Sequence, residues 1–161
     1  MILIAYDGSV DAQAAVDRAG ELLKGQPATV LTVWERISDV VTRTGAGLAI
    51  GDVDFDTIDQ SSQDQARQRA KEGAERAQRA GLKSRARTSV RQHSIAATIL
   101  AAADDVGASA IVMGTRGLTG LKSILLGSVS HGVLQHADRP VIVVPSQSVV
   151  SARVARRHSD R

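Results

Sequence analysis

The stretch that decides the fold lies at residues 111–130 and reads IVMGTRGLTGLKSILLGSVS. It opens with an apolar run rich in β-branched residues, which is typical of a buried strand. Three glycines follow within seven residues, and an apolar pattern resumes after Gly127 and Ser128. The order is therefore a strand, a glycine-rich loop and the start of a helix.

A glycine-rich loop of this kind has two interpretations. In the first, the loop serves the backbone alone, because glycine permits turns that other residues avoid. A loop without side chains also lets backbone N–H groups approach an anion, and the unpaired N–H groups of a helix's first turn favour negative charge. The residue order excludes two common phosphate-binding loops. A P-loop needs lysine directly after glycine, but Leu121 separates Gly120 from Lys122. The dinucleotide-binding pattern G-x-G-x-x-G does not occur in this stretch.

Hydrophobic periodicity elsewhere predicts five strands that alternate with four helices. Ser9 and Ser94 are good N-caps for two of the helices, and Gly81 and Gly107 are placed to end two of them. The predicted strands are residues 1–6, 28–34, 82–90, 108–113 and 140–144, and the helices are 10–23, 63–81, 94–107 and the segment from Gly127 to about 137. A helix between successive strands favours parallel pairing, which predicts a three-layer α/β/α domain with a parallel sheet.

Two segments lack this periodicity. Residues 35–61 place glycines among aspartates, which predicts a long and partly disordered surface loop. Residues 146–161 are rich in serine and arginine without a core pattern, which predicts a disordered basic tail.

Composition narrows the class of protein. A chain of 161 residues with 43% hydrophobic residues fits one domain with a packed core. It has no cysteine, which excludes disulfide frameworks and thiolate metal sites. No apolar run approaches the roughly 20 residues that span a bilayer, and the first residues do not resemble a signal peptide. We therefore expect a cytoplasmic protein that does not enter membranes.

The charge distribution bears on nucleic-acid binding. The formal net charge of +3 resides in residues 146–161, and the rest of the chain balances. Residues 67–91 are strongly basic, but the three aromatic residues, Tyr6, Trp34 and Phe55, are too scattered to stack bases. A solvated helix face is the favoured interpretation, and nucleic acid is not an expected partner.

Glycine spacing links the loop to a known family. Gly114, Gly117, Gly127 and Ser128 fit the pattern G-x2-G-x9-G-[ST], which resembles that of the ATP-binding branch of the universal stress protein family. The opening strand with its Asp7-Gly8-Ser9 turn and the closing strand at residues 139–145 are also similar to that family. The resemblance defines a domain at residues 1–145, in which residues 38–62 match poorly.

The resemblance implies a Rossmann-like sheet of the adenine nucleotide alpha hydrolase type, with strand order 3-2-1-4-5. In open α/β sheets, ligands bind at the carboxyl ends of the strands where the order reverses. Here that point lies between the first strand, which ends before Asp7, and the fourth, which ends near Gly114. Two segments more than about 100 residues apart are therefore expected to converge on one site.

The expected cofactor-binding residues follow from this placement. Asp7 suits a ribose hydroxyl or a metal-bound water, and its structural alternative is a turn aspartate that accepts its own backbone N–H. The resemblance implies a nucleoside contact for Asp7 and an adenine contact for the backbone of Val33. Met113 is either packed against a base or part of the core.

The phosphate end of the expected site draws on the glycine loop. Arg116 is either a phosphate partner or a solvated surface arginine. The full predicted set is Asp7, Val33, Met113, Gly114, Arg116, Gly117, Gly127, Ser128, Val129 and Ser130. Mg²⁺ is expected to accompany ATP, held mainly by its phosphate oxygens, and no metal site made of protein ligands alone is visible. For His131, a position on the helix surface is favoured over a contact with phosphate.

Three functions remain open at this point. The first is an ATP-binding regulatory module of the stress response. The second is a slow ATP-hydrolysing enzyme, for which the loop supplies Arg116 and Lys122 but no carboxylate. The third is a nucleotide-free dimeric scaffold. The resemblance implies a homodimer through the apolar last strand, which consists of Val141, Ile142, Val143 and Val144.

Overall fold

The computed structural model describes residues 1–45, 54–118, 126–147, 149–151 and 154. Its elements in chain order are β1 (Ile2–Ala5), α1 (Val10–Leu22), β2 (Pro27–Trp34), α2 (Ile37–Thr44), α3 (Phe55–Arg79), β3 (Lys83–Val90), α4 (Ile95–Asp105), β4 (Ala110–Gly114), α5 (Ser128–His136) and β5 (Val141–Val144). These strands pair in parallel in the order β3-β2-β1-β4-β5. The predicted fold class and strand order are confirmed.

The sheet is covered on both faces, which explains the nearly continuous apolar runs of its central strands. Successive residues of a strand point to opposite faces, so Ile4 belongs to the core cluster on the side of α1 and α3. Leu3 belongs to the cluster on the side of α4 and α5. Both side chains are fully buried.

The helix ends follow the cap residues seen in the sequence. Ser9 and Ser94 each accept the N–H of the residue three positions on, as N-cap side chains do. Gly81 has a φ of +95°, a conformation that glycine adopts readily, and it ends α3 as the residue after the C-cap. The N–H of Leu82 returns to the carbonyl of Ala77, which completes a Schellman turn before β3.

The structure differs from the sequence-based expectation at residues 35–61, where a long loop was expected. Helix α2 occupies Ile37–Thr44 and ends at Gly45, whose φ is +71°. The Asp59 carboxylate accepts the N–H of Ile37 at 2.6 Å, so a side chain from α3 holds the first turn of α2. This distant partner is what the local sequence does not reveal. Residues 46–53 lie outside the described residues.

Helix α3 also begins earlier than the periodicity suggests. It starts at Phe55 instead of Gln63, with Asp54 accepting the N–H of Thr57 at 3.1 Å as its N-cap. Its first two turns are largely exposed, so they carry no apolar stripe that would indicate a helix. The cap residue, not burial, marks where the helix begins.

The segment after β5 also contacts the body of the protein. Ser146 is fully buried, and its carbonyl accepts the N–H groups of Val149 and Val150 at 3.0 Å each. Val149 is itself buried. The start of the segment predicted as a disordered tail is therefore a helical turn packed on the domain, and residues 155–161 lie outside the described residues.

No helix among the described residues is long and apolar enough to cross a membrane.

Candidate functional site

Strands β1 and β4 lie side by side, and their carboxyl ends bring two distant loops together. Ile4 pairs with Val112 in the parallel register, so both strands end at the same edge of the sheet. The order of the sheet reverses between them, which is where α/β sheets bind ligands. The predicted convergence of Asp7 and the glycine loop is therefore observed.

A cavity of about 500 Å³ opens at this edge. Its volume falls within the range of about 300–1,000 Å³ that is usual for small-molecule sites. Every residue of the predicted set lines it, namely Asp7, Val33, Met113, Gly114, Arg116, Gly117, Gly127, Ser128, Val129 and Ser130. The sequence-based placement of the site thus coincides with a real concavity.

One wall of the cavity is apolar. Leu31, Ile99 and Met113 belong to the core cluster between the sheet and the α4–α5 layer, and Val33 and Ile95 pack against that cluster. Since all five also line the cavity, the core continues without a break into the site. A flat apolar ligand group would bury its surface there without meeting an unpaired polar atom.

Asp7 connects the turn after β1 to the glycine loop. Its Oδ1 accepts the N–H of Ser9 at 3.0 Å, and its Oδ2 accepts the N–H of Leu118 at 3.0 Å. A Cβ on Gly117 would lie 2.6 Å from Asp7 Oδ2, so a larger residue there would displace the Asp7 carboxylate. Asp7 is thus both the predicted turn aspartate and the residue that fixes the loop.

The first turn of α5 has backbone N–H groups for which no acceptor is found among the described residues. The first intrahelical hydrogen bond runs from the N–H of His131 to the carbonyl of Gly127 at 2.9 Å. The N–H groups of Ser128, Val129 and Ser130 precede it, and Gly127 has no side chain to cap them. These groups carry the positive end of the helix dipole, which makes this turn suitable for an anion.

A buried carboxylate lies beneath the loop. Asp11 is 5% exposed, and its Oδ2 accepts the hydroxyl of Thr115 and faces the Nε of Arg116 at 3.4 Å. Burial by itself raises the pKa of Asp11, but hydrogen bonds from Ser146, Thr115 and Arg116 outweigh it, so the pKa lies below that of an ordinary aspartate. The charged form of Asp11 therefore joins α1, the loop after β4 and the segment after β5.

The chain is similar over its whole domain to proteins of one family. The model of the Universal stress protein family matches residues 1–145 of the chain. The universal stress protein YxiE of Bacillus subtilis is 34% identical over 146 residues, which cover 89% of this chain and 97% of that protein. The chain belongs to the universal stress protein family.

Solved structures of universal stress proteins share the fold. The protein from Archaeoglobus fulgidus in complex with dAMP superposes with a TM-score of 0.61 at 24% identity, over 89% of this chain and 95% of that one. A family member from Arabidopsis thaliana with AMP bound gives a TM-score of 0.63 at 16% identity, over 91% and 92% of the two chains. At these identities the likeness establishes the shared architecture.

In this universal stress protein, the glycines of the loop differ in how closely neighbouring atoms approach the place a side chain would occupy. A Cβ on Gly114 would lie 2.6 Å from the backbone carbon of Asp11, so Gly114 allows β4 to approach α1. A Cβ on Gly127 would lie 3.3 Å from the carbonyl oxygen of Thr115, a tight contact but a longer one than at Gly114. Of the motif glycines that the structure describes, Gly127 is the least constrained by the fold itself.

Two predicted side chains already have partners in this universal stress protein. Arg116 is 15% exposed beside Asp11, so it is not the solvated surface arginine of the sequence-based alternative. The hydroxyl of Ser130 donates to the carbonyls of Gly114 and Thr115, at 2.9 and 3.2 Å. Ser130 therefore presents its backbone N–H to the cavity edge, while its hydroxyl ties α5 to the end of β4.

Other residues of the site escape the sequence-based set. The cavity is also lined by Ala5, Tyr6, Ala12, Leu31, Arg69, Ile95, Ile99 and Leu118. Ile95 and Ile99 lie in the first two turns of α4, which follows β3. Helices that follow parallel strands begin at the carboxyl edge of the sheet, so the sequence positions of these two residues indicate that they lie near the site. Arg69 lies within the long helix α3, where nothing in the local sequence distinguishes it from its basic neighbours. Gly120 and Lys122 lie outside the described residues.

Proposed function

We propose that this universal stress protein binds ATP in the cavity between β1 and β4 and acts as a nucleotide-dependent regulatory module of the stress response. One observation carries the proposal: an apolar wall and the first turn of α5, whose N–H groups have no acceptor among the described residues, line a single cavity. A nucleotide has the matching parts, a flat base and an anionic chain. The AMP and dAMP complexes of two relatives support an adenine nucleotide as the ligand.

Different residues of the cavity would contact the adenine, the ribose and the phosphates. The adenine would lie against Val33 and Met113 on the apolar wall, and the ribose would lie near Asp7. The phosphate chain would cross Gly117 and Gly127 and meet the N–H groups of the first turn of α5. Since Asp7 already accepts two backbone N–H groups, a ribose hydroxyl would compete with or add to those bonds.

Mg²⁺ would enter with ATP. No group of three or more histidine or acidic side chains among the described residues is arranged to hold a metal. The phosphate oxygens would therefore provide most of its ligands, and the ion would neutralise part of the triphosphate charge. The residues of the chain would contribute by orienting the phosphates through backbone N–H groups.

Regulation is favoured over catalysis because the carboxylates of Asp7 and Asp11 are both engaged in bonds within the protein. Both oxygens of Asp7 accept backbone N–H groups, and Asp11 is buried under the loop in an ion pair. Neither carboxylate is placed as a free general base for water attack. Slow hydrolysis remains the alternative function, and the nucleotide-free scaffold is the third.

A homodimer is part of the proposal. Strand β5 is an edge of the described sheet, and its residues Val141, Ile142 and Val143 are only partly buried. An apolar edge strand favours pairing with a second chain. Pairing of two β5 strands about a twofold axis would cover that edge, and a monomeric mass in solution at micromolar concentration would contradict it.

A cavity-filling substitution tests the proposed binding mode. Val33→Trp would place an indole ring against the apolar wall where the adenine is proposed to lie. Val90→Trp is the matched control, because Val90 ends the neighbouring strand β3, opposite Trp34, and does not line the cavity. We expect ATP binding to be lost in the first variant and retained in the second. Equal ATP affinities of the two variants would contradict the proposed mode.

A further inference from the structure

Arg69 reaches the cavity from a helix that lies outside both sequence motifs. Gly73 contacts Tyr6 so closely that a Cβ there would lie 2.7 Å from the Tyr6 ring, which fixes this face of α3 against the sheet. Arg69 precedes Gly73 by four residues and therefore lies on the same face, one turn nearer the N-terminus of α3. That turn lies toward the carboxyl edge of the sheet, and Arg69 lines the cavity there.

Within the cavity, the Arg69 side chain lies beside the turn that follows β1. An ideal Cβ on Gly8 would lie 4.0 Å from the Cδ of Arg69, so the side chain lies along the Asp7–Gly8 turn. The same turn contacts the glycine loop through the bond from the Leu118 N–H to Asp7. Arg69 is therefore adjacent to the loop that is proposed to carry the phosphates.

The charges around the cavity show what Arg69 contributes. Asp7 and Asp11 are acidic, and Arg116 lies in an ion pair with Asp11. Among the described residues, Arg69 makes no salt bridge or hydrogen bond, although it is partly buried at the site. In the part of the cavity edge that the structure describes, Asp7 and Asp11 would outnumber Arg116 without Arg69, which would disfavour a polyanion. Of the described residues that line the cavity, Arg69 is the one whose positive charge is left for a ligand.

We propose that Arg69 is the cation that binds the phosphate chain of the nucleotide and gives phosphorylated adenosine its advantage over adenosine at this site. This inference rests on the proposed function. A guanidinium group can donate two parallel N–H bonds to phosphate oxygens, and a partly buried position strengthens them. Arg69 is a phosphate-binding residue supplied by α3, whereas the motif supplies backbone N–H groups from the first turn of α5.

Three variants test the role of Arg69, with ATP and adenosine titrated separately in the presence of Mg²⁺. Arg69→Gln removes the charge, and Arg69→Lys keeps the charge without the two-pronged geometry. Arg67→Gln is the matched control, because Arg67 lies two residues away on α3, pairs with Asp64 at 2.9 Å and does not line the cavity. Thermal unfolding of all three variants checks that the fold is intact.

We expect Arg69→Gln to weaken ATP binding by about ten- to a hundredfold, the range for losing a hydrogen bond to a charged group. Adenosine binding should change by less than about twofold, and the dependence of ATP affinity on salt should decrease. Arg69→Lys should fall between the wild type and Arg69→Gln, and Arg67→Gln should bind ATP like the wild type.

Two results would overturn the assignment of Arg69 and leave the proposed function standing. One is an Arg69→Gln variant that binds ATP as well as Arg67→Gln does. The other is an equal loss of ATP and adenosine binding, which would mean that Arg69 acts on the nucleoside or on the fold. A wild-type protein that binds no ATP would instead remove the proposed function, and the inference about Arg69 with it.

Discussion

The carboxylate of Asp7 accepts a 3.0 Å hydrogen bond from the backbone N–H of Leu118, 111 residues further along the chain. This bond joins the turn after β1 to the glycine loop after β4, across the point where the strand order reverses. It explains why an aspartate and a glycine stand at these positions, because Gly117 leaves room for the carboxylate. The two motifs therefore form one structural unit, whatever ligand the unit holds.

Asp7→Ala should loosen the glycine loop. The substitution removes the acceptor for the N–H groups of Ser9 and Leu118, each of which then bonds only to water. Since the bond to Leu118 is exposed, the loss of unfolding free energy should be modest, about 1 kcal/mol. Hydrogen exchange should show faster exchange at the Leu118 amide. Unchanged exchange there would show that the bond does not hold the loop in solution.

Asp11→Asn should destabilise the protein more than Asp7→Ala. Asp11 is buried and faces Arg116, so neutralising it leaves an uncompensated charge and weakens the bonds from Thr115 and Ser146. Removing one partner of a buried pair costs about 3 kcal/mol or more. Urea unfolding at pH 7 measures the difference in unfolding free energy between this variant and the wild type.

The difference in unfolding free energy between the wild type and Asp11→Asn should depend on pH. The pKa of Asp11 is lowered in the folded state, so its stabilisation is complete above the unfolded pKa of about 3.9 and is lost as pH falls through the folded pKa. The wild type should therefore lose stability in acid faster than Asp11→Asn does. The gap in unfolding free energy between the two should narrow below about pH 4. A gap that stays constant to pH 3 would contradict the assignment.

Alanine substitutions at two motif glycines should separate fold from ligand binding. Gly114→Ala would press a Cβ against the Asp11 backbone, and such overpacking costs typically 1–3 kcal/mol or more of stability. Gly127→Ala would meet the Thr115 carbonyl only at 3.3 Å, so its melting temperature should stay close to that of the wild type. Its ATP affinity should nevertheless fall, because the methyl group lies at the proposed phosphate path. Equal melting temperatures for both variants would refute this distinction.

Ser146→Ala tests whether the segment after β5 belongs to the fold. Ser146 is fully buried and hydrogen-bonds to Asp11, so its loss should lower the unfolding free energy by about 1 kcal/mol. Ser151→Ala is the matched control, because Ser151 is exposed in the same segment. Urea unfolding should distinguish the two variants, and identical curves would mean that the segment does not contribute.

The sequence predicted the sheet and the edge that holds the cavity, because strand patterns and the glycine motif are local signals. The strand order came from the resemblance to the family, and the convergence of Asp7 with the loop followed from that order. Helix α2 was missed because its first turn depends on Asp59, a residue of another helix. A pattern read along the chain does not contain such a contact.

The chemistry of the site was less predictable than its location. Residue type leaves Arg116 as either a phosphate partner or a solvated arginine and places Ser130 at the phosphate end of the site. In the structure the Arg116 side chain faces Asp11, and the Ser130 hydroxyl bonds to the end of β4. Nothing in the local sequence marks Asp11, and only its tertiary burial shows its role. Arg69 is one of several basic residues on α3, and the approach of that helix to Tyr6 is what selects it. Partners of polar groups are set by packing, which residue type alone does not specify.

The most direct test of the central claim is a calorimetric titration of the purified wild-type protein with ATP and Mg²⁺. An aliquot of the protein must first be denatured and its supernatant chromatographed, because nucleotide carried through purification would already fill the site and suppress the binding heat. We expect saturable binding, or ATP released on denaturation. A protein that carries no nucleotide and gives no binding heat at millimolar ATP would contradict the account, and the glycine loop would then serve the fold alone.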